Sequence, residues 1–299
     1  MPTASPKKYI VTIIGAGRAG STVGRALRGA GYPIACVVSH NERSARTLAK
    51  ELRAPVASTE LHGIPSQSNF ILISTGDDAI AGVARDLAKT RSNFRETVIV
   101  HLSAALTRDV LAPLHKKGAM TLALHPAFPF ASRNVPASRL RNIGWAVECT
   151  PKDFGLATKI VESLHGVPVR IPPKNKILYH AGCSVASNFL VVLIDAATQL
   201  FREAGLSPRD ADKLLQPLIA ETLNNVWSDP GIPINKKLTG PIARGDAGTL
   251  QKHLRALKKF GGIEQMFRAL SRSAFAIAKK NKNIPAAKLN ALKSVIEED

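Results

Sequence analysis

The chain is short of acid. Its 299 residues hold 41 Lys or Arg against 22 Asp or Glu, a formal net charge of +19. Such an excess raises the question of nucleic acid. It has no focus, however. Residues 1–171 carry 22 basic and 11 acidic side chains, and residues 172–299 carry 19 and 11. There is no basic tail. Aromatic residues make up only 5%, and no stacking motif accompanies the lysines. The reading is therefore no nucleic acid, and a basic surface that attracts small anions.

Cysteine is also scarce. Cys36, Cys149 and Cys183 stand far apart in apolar runs, without CxxC or His/Cys spacing. No metal site is expected, and free thiols fit a reducing compartment. Long apolar runs are lacking as well. The most apolar stretch, 188–194, is cut by Asp195 and is too short to span a bilayer. Residues 1–8 contain no apolar core of signal-peptide length. The expectation is a cytoplasmic protein with no membrane association. No repeat at a solenoid period is found.

What is present is a packed-protein composition, 45% hydrophobic, with length for two ordinary domains. Residues 8–16 form a β-branched run entering glycine. Further short apolar runs follow at 34–39, 70–74, 97–102 and 120–124, with helical patterns at 18–30, 44–52, 79–89 and 107–117 between them. Strands alternating with helices predict a mainly parallel sheet covered on both faces. Strands at 145–148 and 168–171 flank a helix at 154–164, and Pro172-Pro173 then punctuates. A single helical pattern follows over 174–204, about 45 Å long. The remainder is helical, broken at 229–231 and 238–245. The predicted fold is an α/β Rossmann domain over 1–172, followed by an all-α domain over 173–299.

The sharpest motif is Gly15-Ala16-Gly17-Arg18-Ala19-Gly20, with a strand before it and a helix after it. In a Rossmann phosphate loop the first glycine makes the turn. The second admits a pyrophosphate, and the third lets helix and strand pack. The N–H groups at the helix start then hold the anion. An acid about 20 residues on would bind the ribose hydroxyls of NAD. Ser39 stands there instead, followed by Asn41 and Arg43, which suits the 2′-phosphate of NADP. Arg18 is a further candidate for that phosphate. Glu42 is the complication, because it could point at the ribose. Arg43 could equally be a solvated residue of the helix's first turn.

Ligands of open parallel sheets lie beyond the carboxyl ends of the strands. Those ends carry Ser74-Thr75-Gly76-Asp77-Asp78, His101-Leu102-Ser103 and His125-Pro126. Ser74, Thr75 and Ser103 are cofactor candidates. Asp77 and Asp78 either contact the cofactor or cap the next helix, with Asp78 the better cap. Lys176, His180, Ser184, Ser187 and Asn188 fall on one side of the long helix. They form either a cleft wall or a small-residue packing stripe. His180 is the first choice for acid–base work, since imidazole titrates near neutrality. Lys176 and His125 follow, and Asn188 orients the substrate or cofactor amide. Ser184, Thr239 and Arg244 are substrate candidates. Arg244 could hold a carboxylate or bond loop carbonyls. Asp246 reads as a helix N-cap.

The phosphate loop, His125-Pro126, Tyr179-His180-Ala181, Ser187-Asn188 and the string Leu238-Thr239-Gly240-Pro241-Ile242-Ala243-Arg244-Gly245-Asp246 occur in a known order. The chain resembles, over nearly its whole length, the family that joins a Rossmann-like domain to the C-terminal domain of unknown function 2520. That family is similar in layout to pyrroline-5-carboxylate reductase, ketopantoate reductase and the deazaflavin-linked NADP oxidoreductases. The resemblance implies NADP rather than NAD, a helical second domain and a homodimer formed through it. A helix lysine serves the ketoacid-reducing relatives, which is what brings in Lys176. Together these readings give an NADP-dependent oxidoreductase acting on a small, anionic carbonyl or imine. The alternative is a non-catalytic dinucleotide sensor or partner protein.

Overall fold

The structure is a computed structural model that describes residues 9–280 and 284–298; the reading of residues 1–8 lies outside it. Two compact units are present, one ending at Phe189 and the other beginning at Leu190.

The first unit is built on one sheet of eight strands in the order β3-β2-β1-β4-β5-β6-β7-β8. The strands are β1 (Val11–Ile14), β2 (Ile34–Val38), β3 (Val56–Ser58), β4 (Phe70–Ile73), β5 (Val98–His101), β6 (Met120–Pro126), β7 (Gly144–Glu148) and β8 (Val167–Arg170). All neighbours run parallel except β6 and β7. Alternate residues of the central strands enter different cores. Val11, Ile13, Phe70, Leu72, Val98 and Val100 pack on one face. Ile14, Ile71, Ile73 and Ile99 pack on the other. This is why the strands read as continuous β-branched runs: both faces are buried.

Helices α1 (Arg18–Gly29), α2 (Glu42–Leu52), α3 (Asp77–Thr90), α4 (Ala112–His115) and α5 (Phe154–Ser163) supply the covering layers. The expected helix at 107–117 is instead a 3-10 turn, Arg108–Leu111, followed by the single turn α4, which carries Pro113 near its start. Strand β3 is only three residues long and gives no readable period.

The sheet ends at Arg170, beside the Pro172-Pro173 punctuation, whereas the division into units falls within the helical run that follows. That run comprises α6 (Lys176–Cys183), a π-helical turn at Ser184–Asn188 and α7 (Phe189–Glu203). It is much longer than the stretch 188–194 alone. Pro173–Glu203 spans 31 residues with a mean hydropathy of 1.8 in its most apolar window. By length and composition this helix could cross a membrane, which residues 188–194 alone could not. Gly182 and Asp195 do not interrupt the helix.

The second unit is helical among its described residues: α7, α8 (Pro208–Trp227), α9 (Gly240–Arg244), α10 (Ala247–Leu257), α11 (Gly261–Lys279) and α12 (Ala286–Glu297). Its core is small. Leu250 and Leu254 of α10 meet Leu292 and Ile296 of α12, with Phe267 and Phe275 of α11 packed against them. The expected break at 238–245 contains α9, which Gly245 ends at φ 73°. Asp246 then caps α10 by accepting from Thr249 N–H at 2.9 Å, as its position before the helix suggests.

Candidate functional site

The phosphate loop joins β1 to α1. Gly15 has φ +108°, and a Cβ there would meet the Ser74 backbone at 2.7 Å. A Cβ on Gly20 would lie 2.1 Å from the Gly15 carbonyl oxygen. Gly17 differs, since its Cβ position faces open space. The three glycines thus divide into a turn, an open approach and a close packing contact, the division a pyrophosphate site requires. Ser74 braces the loop by donating to the Gly15 carbonyl at 2.9 Å.

A cavity of about 510 Å³ opens beside this loop. It is lined by Gly15, Ala16 and Gly17, by Ser39, His40 and Ser44 after β2, and by Ser74, Thr75 and Asp78 after β4. Thr75 Oγ1 is buried there without a hydrogen-bond partner. An unpaired buried hydroxyl is costly unless a ligand or water completes it. Arg18 is exposed at the start of α1, and Ala19 packs against the core. Asn41 is not among the lining residues. It caps α2, accepting from Ser44 N–H at 2.9 Å. Arg43 is exposed and lines a neighbouring cavity instead. The carboxylate of Glu42 pairs with Arg46 one turn on, which draws it to its own helix surface.

Neither Asp77 nor Asp78 caps α3 through its side chain; the cap position is Gly76. The expected Asp78 cap is displaced by two residues to Gly76, because the helix already begins at Asp77. Asp77 accepts from Ser103 Oγ at 2.8 Å. Ser103 in turn accepts from the N–H groups of Ala105 and Leu106. It therefore holds the turn after β5 and does not line the cavity.

Strand register gathers a second polar group. Ile14, Ile73, His101, Ala123 and Glu148 lie in one row across five strands. Lys176, 2% exposed, places Nζ 3.5 Å from Glu148 Oε2. Glu148 also accepts from Arg108 N–H at 2.7 Å. Burial lowers the Lys176 pKa, and the Glu148 carboxylate opposes that shift. His101 accepts from Ser103 N–H at Nδ1, and its Nε2 faces the Thr107 carbonyl at 3.3 Å. That pattern uses the neutral ring, and burial pushes the His101 pKa down to about 3. His125 Nδ1 lies 2.7 Å from Tyr179 Oη, with the two rings edge to face. Burial, with the charges of Lys176 and His180, takes His125 down to about 4.

Lys176, His125 and His180 are thus brought together, joined by Tyr179, by His101 acting as an acceptor, and by Glu148, which the sequence did not single out. His180 and Ser184 are half-buried. Asn188 is exposed, because the π turn breaks the steps of three and four that would have continued the stripe. Thr239 holds the cap position at the start of α9 in the second unit, and Arg244, exposed, is its last residue. The thiols of Cys36 and Cys149 are pushed up to about 11 by burial, which leaves them unreactive at neutral pH.

Residues 3–126 match the family described as Rossmann-like domain, and residues 143–274 match the domain of unknown function DUF2520. The chain carries a Rossmann-like domain followed by a DUF2520 domain. No match is found among curated proteins. Solved structures share the fold. A candidate NADP oxidoreductase from Bacteroides fragilis is 23% identical, with TM-score 0.74, over 90% of this chain and 99% of that one. A reductive aminase from Aspergillus terreus, in complex with NADPH and ethyl-5-oxohexanoate, is 16% identical with TM-score 0.60. That match covers 97% of this chain and 93% of the aminase. A pyrroline-5-carboxylate reductase from Coxiella burnetii is 14% identical with TM-score 0.57, over 97% of this chain and 99% of the reductase. At these identities the likeness establishes the fold.

Proposed function

We propose that this Rossmann-like/DUF2520 protein is an NADP-dependent oxidoreductase of a small, anionic carbonyl or imine compound. The observation that carries the reading is the cavity beside the phosphate loop. Gly17 leaves its floor open, and the buried Thr75 hydroxyl there has no partner. Ser39 in place of an acid favours NADP over NAD. The fold neighbours named for NADP or NADPH agree with that choice.

The cofactor, when bound, supplies the hydride for a C=O or C=N bond. The chain's part is to hold the substrate and give a proton to the heteroatom. His180 is the acid in this reading, being half-buried on the helix turn that also carries Tyr179. Tyr179 and His125 act as a hydrogen-bonded pair beside it. The buried Lys176 ammonium, fixed by Glu148, biases the site toward anionic states. Ser184 and Asn188 orient the substrate. Lys176 also anchors α6 to the sheet through Glu148. The protein is read as cytoplasmic, with Lys176 tying the start of this apolar run to the sheet. Leu214, Leu218 and Trp227 of α8 are exposed. They fit the face of a second copy, hence a homodimer.

Absorbance at 340 nm tests the activity. Purified protein is mixed with NADPH and a panel of 2-oxo acids and cyclic imines. Turnover is expected with at least one compound and is lost in His180→Ala. NADPH binding without turnover anywhere on the panel would favour a dinucleotide sensor instead.

A further inference from the structure

The cavity beside the phosphate loop has a wall that the glycine motif does not announce. It comes from the segment that follows β6. Arg133 there donates from Nη1 to Ser44 Oγ at 3.0 Å. It lines the same cavity as Ser39, His40 and Ser44. The segment is held in place by its own backbone: Arg25 of α1 donates to the carbonyls of Arg133 and Val135 and pairs with Glu51 of α2 at 2.8 Å. The guanidinium is thus delivered to the end of β2 by a clamped loop.

The end of β2 is where a Rossmann site meets the 2′ position of the adenosine ribose. No acid competes for it. Glu42 is turned to Arg46, and the cavity's one lining carboxylate is Asp78, at the start of α3. Arg43, the arginine nearest in sequence, lines only the neighbouring cavity, whereas Arg133 and Ser44 border both. We propose that Arg133 is the residue that selects a 2′-phosphorylated dinucleotide, with the Ser39 and Ser44 hydroxyls completing its anion pocket. This rests on the NADP reading above and assigns its selectivity to a residue 94 positions downstream of Ser39, at the strand end that normally carries it. Ser44 occupies one of the five guanidinium donors, which leaves others for a bidentate grip on phosphate. A ribose with a free 2′-hydroxyl offers that fork no charge.

Fluorescence titration of the full chain with NADPH and, separately, NADH tests it. Wild type is expected to prefer NADPH. Arg133→Gln is expected to weaken NADPH about ten- to hundredfold, as loss of a charge-assisted bond would, while NADH is unmoved. Arg133→Lys keeps the charge but not the fork and falls between the two. The loss in Arg133→Gln also exceeds that in Arg43→Gln. Equal weakening of both cofactors overturns the inference, since the loop would then act through the fold. So does an intact NADPH preference in Arg133→Gln. A wild-type protein that does not prefer NADPH fails the cofactor reading itself, before any variant is made.

Discussion

The first unit hides its apolar residues on both faces of one sheet, whereas the helical unit leaves many of its own in view. Central strand residues such as Val11, Ile13, Ile71 and Ile73 are wholly buried. On α7 and α8, Val191, Val192, Leu218 and Trp227 are more than half exposed. The helical core rests on a few residues of α10, α11 and α12. A sheet flanked by helices closes its core within one chain. A helical unit with an uncovered apolar stripe needs another surface to do so. The difference separates a unit that closes its core within itself from one that leaves an apolar face exposed.

The strongest way to break the first half of that comparison is at Gly20. A Cβ there would lie 2.1 Å from the Gly15 carbonyl and 2.3 Å from Ser74 Oγ, so the loop must move. Gly20→Val is expected to destabilise by about 3 kcal/mol or more and to abolish NADPH binding. Gly17→Ala separates the two effects, because its Cβ meets nothing. Its stability should stay within about 0.5 kcal/mol of wild type. Its NADPH affinity should fall about tenfold or more, a loss of roughly 1.4 kcal/mol. Thermal melting and fluorescence titration read both. A Gly17→Ala protein that binds normally would mean that the open floor is not the pyrophosphate path.

Next in size is the buried ion pair. Lys176→Met leaves the Glu148 carboxylate buried, with Arg108 its remaining partner. Removing one member of such a pair costs about 3 kcal/mol. Glu148→Gln in the same chain should restore at least half of that in urea unfolding. No recovery would place the cost in packing rather than charge.

Much of the first unit was legible because its signals are local. The phosphate loop, its flanking strand and helix, and Ser39 in place of an acid all lie within one stretch of 30 residues. The polar group was legible only in part: Lys176, His125 and His180 were named, but Glu148 joins His101 in one row only through strand register. Glu148 reads as the end of a strand until β6 and β7 pair antiparallel. Tyr179 stood beside the chosen His180 but carries no periodic or spacing signal of its own. Arg133 sits in a segment without regular period, and only the Arg25 clamp brings it to the cavity. The π turn, which moves Asn188 off the predicted stripe, has no sequence mark.

The histidines sharpen the picture through pH. His101 and His125 have folded-state pKa values of about 3 and about 4, against 6.5 when unfolded. Between those limits the unfolded chain binds protons that the folded chain refuses, so stability rises with pH. The contribution is complete above about pH 6.5 and is lost as pH falls toward 3–4. Each group contributes on the order of 3 kcal/mol. Unfolding free energy measured at pH 7 and at pH 4.5 should drop, and His101→Gln should flatten the slope. An unchanged slope would mean that His101 is already protonated in the fold.

In the second unit the comparison predicts an effect on association and not on the fold. Leu218 is 60% exposed on α8. Leu218→Glu should leave the melting of dilute protein within about 0.5 kcal/mol of wild type. In sedimentation it should shift a dimer to monomer. A monomeric wild type would remove the second half of the comparison.

The smallest effect tests which polar residues near the cavity serve the fold alone. Asn41 was a cofactor candidate by position, yet its side chain accepts from Ser44 N–H and starts α2. Asn41→Ala should cost about 1 kcal/mol, the usual value of a lost N-cap. NADPH affinity should fall by much less than in Arg133→Gln. Asn41→Asp restores the acceptor and should recover the stability, but it brings a carboxylate to the end of β2. If the cavity there holds a 2′-phosphate, that variant should weaken NADPH more than NADH, by repulsion rather than by loss of the cap. If it affects both cofactors alike, the end of β2 faces the ribose without its phosphate.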